Sequence, residues 1–269
     1  MAERDVVCCI GAGRMGRGIA YVGHKIHLLD AKPRDSEAFE AFRTETLDVI
    51  NGSLSSLARL RLLELSDVPT ILKRVKIHSL EDAEVAFVDA KIVFEGVPDA
   101  LDAKQQAFAL FDQHADEDAI LASTTSTILS TDLAEFTKSP ECFLNAHWLN
   151  PAFVVPLVEV SPTPKTATNI ITKLNEFLES IGKVPVLCKA SPGYIAPRIQ
   201  ALAMNDERFA APDIIKSNME NDRIGLRTGQ GFYNYDNVDV AEYQQQIMAA
   251  YLKILQNNDM VCEPVLLQN

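Results

Sequence analysis

The sequence predicts an α/β fold, a doubly wound and mainly parallel sheet with helices on both faces, followed by a smaller all-helical C-terminal domain. Three observations carry that expectation. Short β-rich runs alternate with helical stretches through the first two thirds of the chain, a glycine-rich turn follows the first run, and the strand pattern stops after Cys188. Strands that alternate with helical segments form parallel sheets, because each crossover lays a helix across one face.

The β-rich runs cover residues 5–10, 25–29, 75–78, 91–95, 119–123, 142–147, 157–160 and 184–188. Between the second and third, Phe39, Phe42, Leu47, Ile50, Leu54 and Leu57 recur at spacings of three, five or four. That period predicts one or two long amphipathic helices. Beyond Cys188, helices are expected over 192–204, 212–221 and 241–256, with a turn-rich segment between the last two. The expected domains are therefore residues 1–188 and 189–269. The second holds about eighty residues, small for an independent core, so it should depend on the first domain or on a partner subunit.

Composition excludes several function classes. A chain of 269 residues with 47% hydrophobic residues can bury two modest cores. Its formal net charge of -12 repels phosphodiester backbones and anionic lipid surfaces, so neither nucleic acid nor membrane is expected as a partner. An anionic small-molecule ligand would need a local cationic pocket. The five cysteines form no C-x-x-C pair, which points to a reducing compartment. MAERDVV carries no apolar signal region, no stretch reaches the roughly 18 apolar residues of a membrane span, and VLLQN is not a peroxisomal tripeptide. A cytoplasmic location is the expectation.

Gly11-Ala12-Gly13-Arg14-Met15-Gly16 follows the apolar run DVVCCI and opens a helix. In that context a G-x-G-x-x-G turn binds a dinucleotide. Gly11 permits the tight turn, Gly13 lets a pyrophosphate approach the backbone, and Gly16 lets helix and strand pack closely. Asp30 ends the second run, nineteen residues after Gly11, where a carboxylate can accept both ribose hydroxyls of NAD and repel the extra phosphate of NADP. The domain is therefore expected to be Rossmann-type and to bind NAD through Gly11, Gly13, Arg14, Met15, Gly16 and Asp30. An ordinary glycine turn with a strand-end aspartate is the bland alternative. Lys32 and Arg34 read as solvated surface charges.

Further candidates lie at the carboxyl ends of later runs, where open α/β sheets place ligands. ASTTS (122–126) closes the fifth run, HWLNP (147–151) follows the sixth, and Glu159 comes twelve residues after His147. With FEGVPDALDAK (94–104), SPGYIAPR (191–198) and GLRTGQGFYNY (225–235), these segments make the chain resemble the 3-hydroxyacyl-CoA dehydrogenase family, in the family's order and over nearly the whole length. The resemblance implies a catalytic His147–Glu159 pair, a substrate contact from Ser126, a substrate or nicotinamide contact from Asn150, and Glu95 and Lys104 near the cofactor. It also implies NAD as cofactor and a homodimer. A histidine can take the hydroxyl proton as hydride leaves, and a carboxylate behind it fixes the tautomer. Taken singly, each residue has a plainer reading, Ser126 for instance as a helix N-cap.

The chain departs from the family pattern in three places. The helix after Gly16 reaches Gly23 about one turn, or roughly 6 Å, early. Pro197 stands where the family has asparagine, and Asn205 is the residue that could compensate. AMND (203–206) runs directly into ERFAAPD, without the block of helices that in the family builds the substrate domain and dimer interface. The leading expectation is oxidation of a short-chain (S)-3-hydroxyacyl-CoA by NAD. The alternatives are a dehydrogenase of a free 3-hydroxy acid (a sugar acid or carnitine-like), and a catalytically weak NAD-binding protein. His24 and His27 have no ligand spacing around them, and no metal is expected.

Overall fold

The structure is a computed structural model that describes residues 6–20, 24–205, 213–226 and 228–257. Residues 21–23, the 206–212 junction, Arg227, Cys262 and VLLQN lie outside the described residues, as does the side chain of Asn205. The described chain divides into two compact units after Ile195.

All eight expected strands form: β1 (Val6–Ile10), β2 (Lys25–Leu29), β3 (Val75–His78), β4 (Ala90–Glu95), β5 (Ile120–Ser123), β6 (Phe143–Trp148), β7 (Leu157–Pro162) and β8 (Val184–Leu187). They make one sheet in the order β3-β2-β1-β4-β5-β6-β7-β8. Every neighbouring pair is parallel except β6 with β7. Only residues 149–156 separate those two strands. A parallel crossover needs a dozen or more residues, so the chain must turn back on itself there.

The central strands are covered on both faces, which is why they read as continuous apolar runs; β1 is buried at every position. One face carries Cys8, Val93, Leu121 and Phe143 against α4 (Ala83–Phe87) and α5 (Leu101–His114), whose Phe87, Ala107, Phe108 and Phe111 complete a single apolar cluster. On the other face lies α7 (Thr168–Ser180), which buries Ile170, Leu174 and Leu178 at four-residue spacing and sets Phe177 beside Phe94. The helix opened by the glycine turn, α1 (Arg14–Ile19), is only six residues long.

The apolar period after β2 gives one helix, α2 (Ser36–Arg59), of 24 residues. Asp35 caps it by accepting from the Ala38 N–H at 2.8 Å. Short helices α3 (Val68–Leu72) and α6 (Ser130–Leu133) complete this unit. Residues 189–195, expected at the head of the C-terminal domain, lie in the first unit, where the Ile195 N–H bonds to Glu159 on β7 and the Tyr194 hydroxyl to Thr125 just beyond β5.

The second unit holds α8 (Ala196–Asn205), α9 (Asp213–Glu220) and α10 (Val240–Asn257), the last burying Leu252 and Leu255. Its turn segment folds back through bridges between Gly225 and Gln230 and between Gln230 and Asn234. Arg223 donates across that fold to the Gly231 carbonyl at 2.9 Å. Among the described residues, no helix is long and apolar enough to cross a membrane.

Candidate active site

The sheet order reverses direction at β1 and β4, and the crevice outside their carboxyl ends is where the glycine turn sits. Gly11 has φ +102°, and a Cβ there would lie 3.0 Å from the Gly96 backbone. At Gly16 a Cβ would fall 2.3 Å from the Gly11 carbonyl oxygen, so only glycine lets α1 start this close to β1. Gly13 is the opposite case: nothing lies within 4 Å of its missing side chain, and the backbone is open to a ligand. Arg14 is exposed, and Met15 leans on Gly96.

Asp30 is buried just beyond β2. It accepts from the Lys32 N–H and is ion-paired with the Arg34 guanidinium, which lies 4.3 Å over the Phe42 ring. Arg34 is at the surface, as the sequence suggests, but it is paired there and covers the carboxylate expected to meet the ribose. The bare backbone at Gly13 and the strand-end Asp30 fit a dinucleotide, whose ribose hydroxyls would have to displace Arg34 from the carboxylate.

The β6–β7 pair holds the second constellation. Antiparallel register puts His147 directly opposite Glu159, and the His147 Nδ1 and Glu159 Oε2 atoms are 2.7 Å apart. Both side chains are buried, at 5% and 0% exposure. Glu159 Oε1 accepts from the Ile195 N–H at 2.8 Å. His147 Nε2 has no hydrogen-bond partner among the described residues.

Two strands away, Glu95 accepts from Ser123 Oγ at 2.6 Å, from the Val97 N–H at 2.7 Å and from Lys104 Nζ at 2.9 Å. Lys104 is also 3.1 Å from Asp99 Oδ1, and Asp99 Oδ2 accepts from the Ser126 N–H at 3.1 Å. Burial pushes the Glu95 carboxyl above its ordinary range, against the pull of Lys104. Asp99 goes the other way: burial would raise it, but Lys104 and the donors around it hold it below the usual carboxylate value.

A model of the 3-hydroxyacyl-CoA dehydrogenase NAD binding domain matches residues 6–191. The chain belongs to the 3-hydroxyacyl-CoA dehydrogenase family. NAD is accordingly its cofactor. The 3-hydroxyadipyl-CoA dehydrogenase of Escherichia coli is 32% identical over 246 residues, 86% of this chain, although the match spans only about half (47%) of that protein. A probable 3-hydroxybutyryl-CoA dehydrogenase of Deinococcus radiodurans is 32% identical over 82% of this chain and 78% of its own length. The fold is shared with (S)-3-hydroxybutyryl-CoA dehydrogenase from Ralstonia eutropha, at a TM-score of 0.68 and 24% identity, with 99% of both chains covered.

Among the residues that the family resemblance singles out, the fold brings His147 and Glu159 into contact and leaves Ser126 and Asn150 exposed beyond β5 and β6. Ser126 is not a helix cap, since α6 starts at Ser130 and its N-cap position is Leu129. Glu95 and Lys104 are wholly enclosed; Asp99, with 31% of its side chain exposed, is the acid of that network that reaches the surface. Sequence reasoning passed over Asp99, although it lies within the quoted segment between Glu95 and Lys104. It also passed over Lys183, which donates to the Ala152 and Val155 carbonyls at 2.6 and 3.0 Å and so clamps the loop after Asn150. That loop rests on the cofactor helix, where a Cβ at Gly18 would lie 2.9 Å from the Ala152 Cβ.

Proposed function

We propose that the protein oxidises a short-chain (S)-3-hydroxyacyl-CoA to the 3-ketoacyl-CoA, with NAD as the acceptor. The observation that supports this most is the His147–Glu159 pair, a buried imidazole with one nitrogen held by a carboxylate and the other unbonded among the described residues. Bound NAD supplies the hydride-accepting chemistry. His147 Nε2 takes the proton of the 3-hydroxyl. Glu159 keeps the proton of the neutral ring on Nδ1, and its charge stabilises the imidazolium as it forms. Ser126 donates its hydroxyl to the substrate oxygen, and Asn150 orients the substrate or the nicotinamide end. The names of the Deinococcus and Ralstonia proteins favour a four-carbon acyl group.

The test is loss of NADH absorbance when the purified chain meets acetoacetyl-CoA, with free acetoacetate in parallel. Turnover that requires the CoA ester is expected. Faster turnover of free acetoacetate would assign a free hydroxy acid instead, and NADH binding without any turnover would leave an NAD-binding protein.

A further inference from the structure

The imidazole of His147 has a second neighbour that the His–Glu pair does not account for. The Tyr194 ring stacks on it at 4.9 Å between centroids and 6° between planes. Tyr194 is 5% exposed, and its hydroxyl is fully engaged: it accepts from Asn145 Nδ2 at 2.8 Å and donates to the Thr125 carbonyl at 2.9 Å. Thr125 immediately precedes Ser126, and Asn145 lies two residues before His147 on β6. One side chain thus touches the imidazole, the strand that carries it and the loop that carries Ser126.

The backbone is bent to deliver this ring. Gly193 has φ +72° and Tyr194 itself has φ +42°, a left-handed conformation that costs a bulky aromatic residue energy and persists only where surrounding contacts enforce it. The next residue, Ile195, donates its N–H to Glu159 Oε1. The turn therefore grips both members of the pair, the histidine through a ring face and the glutamate through an amide. Burial pushes the Tyr194 hydroxyl well above its ordinary value despite the Asn145 donor, and the charges of Asp99 and Glu159 push it the same way. The group stays a neutral hydrogen-bonding phenol and is no acid for the reaction.

We propose that Tyr194 is a positioning residue for the reaction: its ring fixes the plane of the His147 imidazole, and its hydroxyl fixes the Thr125 carbonyl and hence the Ser126 loop. The proposal rests on the reading of His147 as the base. As His147 takes up a proton, the face of the Tyr194 ring also attracts the resulting cation, as aromatic faces do. Phenylalanine would keep the stacking and lose the tie to Thr125; leucine would lose both.

Tyr194→Phe, Tyr194→Leu and His147→Ala are compared for kcat and KM with acetoacetyl-CoA, for the pH profile of kcat, and for NADH affinity by fluorescence. Tyr194→Phe is expected to lower kcat about tenfold, since the hydroxyl's bonds to Asn145 and Thr125 are both lost, with NADH affinity and the pH profile unchanged. Tyr194→Leu is expected to lower kcat about a hundredfold and to move the histidine limb of the profile, again with NADH affinity kept. Wild-type kcat and profile in both variants, beside an inactive His147→Ala, would overturn the role of Tyr194 alone. Parallel loss of NADH binding and kcat in Tyr194→Phe would overturn it too, as the mark of a general structural role. Full activity in His147→Ala would instead remove the reading of His147 beneath it.

Discussion

Two buried carboxylates stand at the same edge of the sheet, one paired with an ammonium and one with an imidazole, and they are finished differently. Lys104 and Glu95 are both 0% exposed, and the Lys104 ammonium is shared among Glu95, Asp99 and the Val97 carbonyl. Every strong donor that reaches Glu95 comes from the chain itself. His147 and Glu159 are nearly as buried, yet the pair stops one bond short, because Nε2 of the imidazole is left over. A closed pair holds a shape, whereas a pair with one open nitrogen can accept a proton from outside. The contrast separates a pair whose polar atoms are spent within the chain from one that keeps an atom for a ligand, which is the atom the proposed function uses.

The largest effect that would test this contrast is on turnover. His147→Ala is expected to lower kcat about a thousandfold while NADH affinity, measured by fluorescence, stays within twofold; near-normal kcat would erase the distinction between the pairs. Lys104→Met should act on stability, because it strands a buried carboxylate: a loss of about 3 kcal/mol by urea denaturation is expected, and a loss near zero would show that the closed pair holds nothing. Asp30→Ala should weaken NADH about tenfold and NADPH less, since only the unphosphorylated ribose gains from the carboxylate. Equal losses for the two cofactors would mean that Arg34 keeps Asp30 from the ribose altogether.

The smallest effect concerns His78, whose Nε2 is buried without a hydrogen-bond partner among the described residues. Burial, helped by the neighbouring His27, lowers it from 6.5 to about 4. Between those two values the unfolded chain binds the proton and the folded chain does not. Stability should therefore fall as pH drops through that window, by about 1 kcal/mol after allowance for partial exposure, and be flat above it. Urea midpoints at about pH 7 and pH 4.5 check this, and His78→Gln should reduce the difference.

The strands are legible in the sequence because a parallel sheet covered on both faces demands unbroken apolar runs, and the period of residues 39–57 announces α2. The glycine turn is legible because each glycine answers a steric need that no other residue meets. The twelve-residue spacing of His147 and Glu159 is visible too, but not that it sets them face to face, which depends on the register of β6 against β7. Arg34 reads as a surface charge because nothing in the chain order foretells its stacking on Phe42, a ring contributed by α2. That Lys104 and Glu95 are both fully enclosed and bonded to each other is not legible in their nine-residue spacing. Tyr194 lies within the SPGYIAPR segment, but its contacts emerge only once a turn, two strands and a loop are assembled.

The contact between Gly18 and Ala152 has a bearing on how such a chain can diverge. The two positions share room for a single methyl group, with α1 on one side and the loop after Asn150 on the other. A side chain gained at 18 would have to be matched by one given up at 152, so Gly18→Ala becomes accessible once Ala152 has been replaced by glycine. The cofactor helix and the loop beside the histidine are thereby bound to a common mutational history, although 134 positions separate them along the chain (152 − 18 = 134).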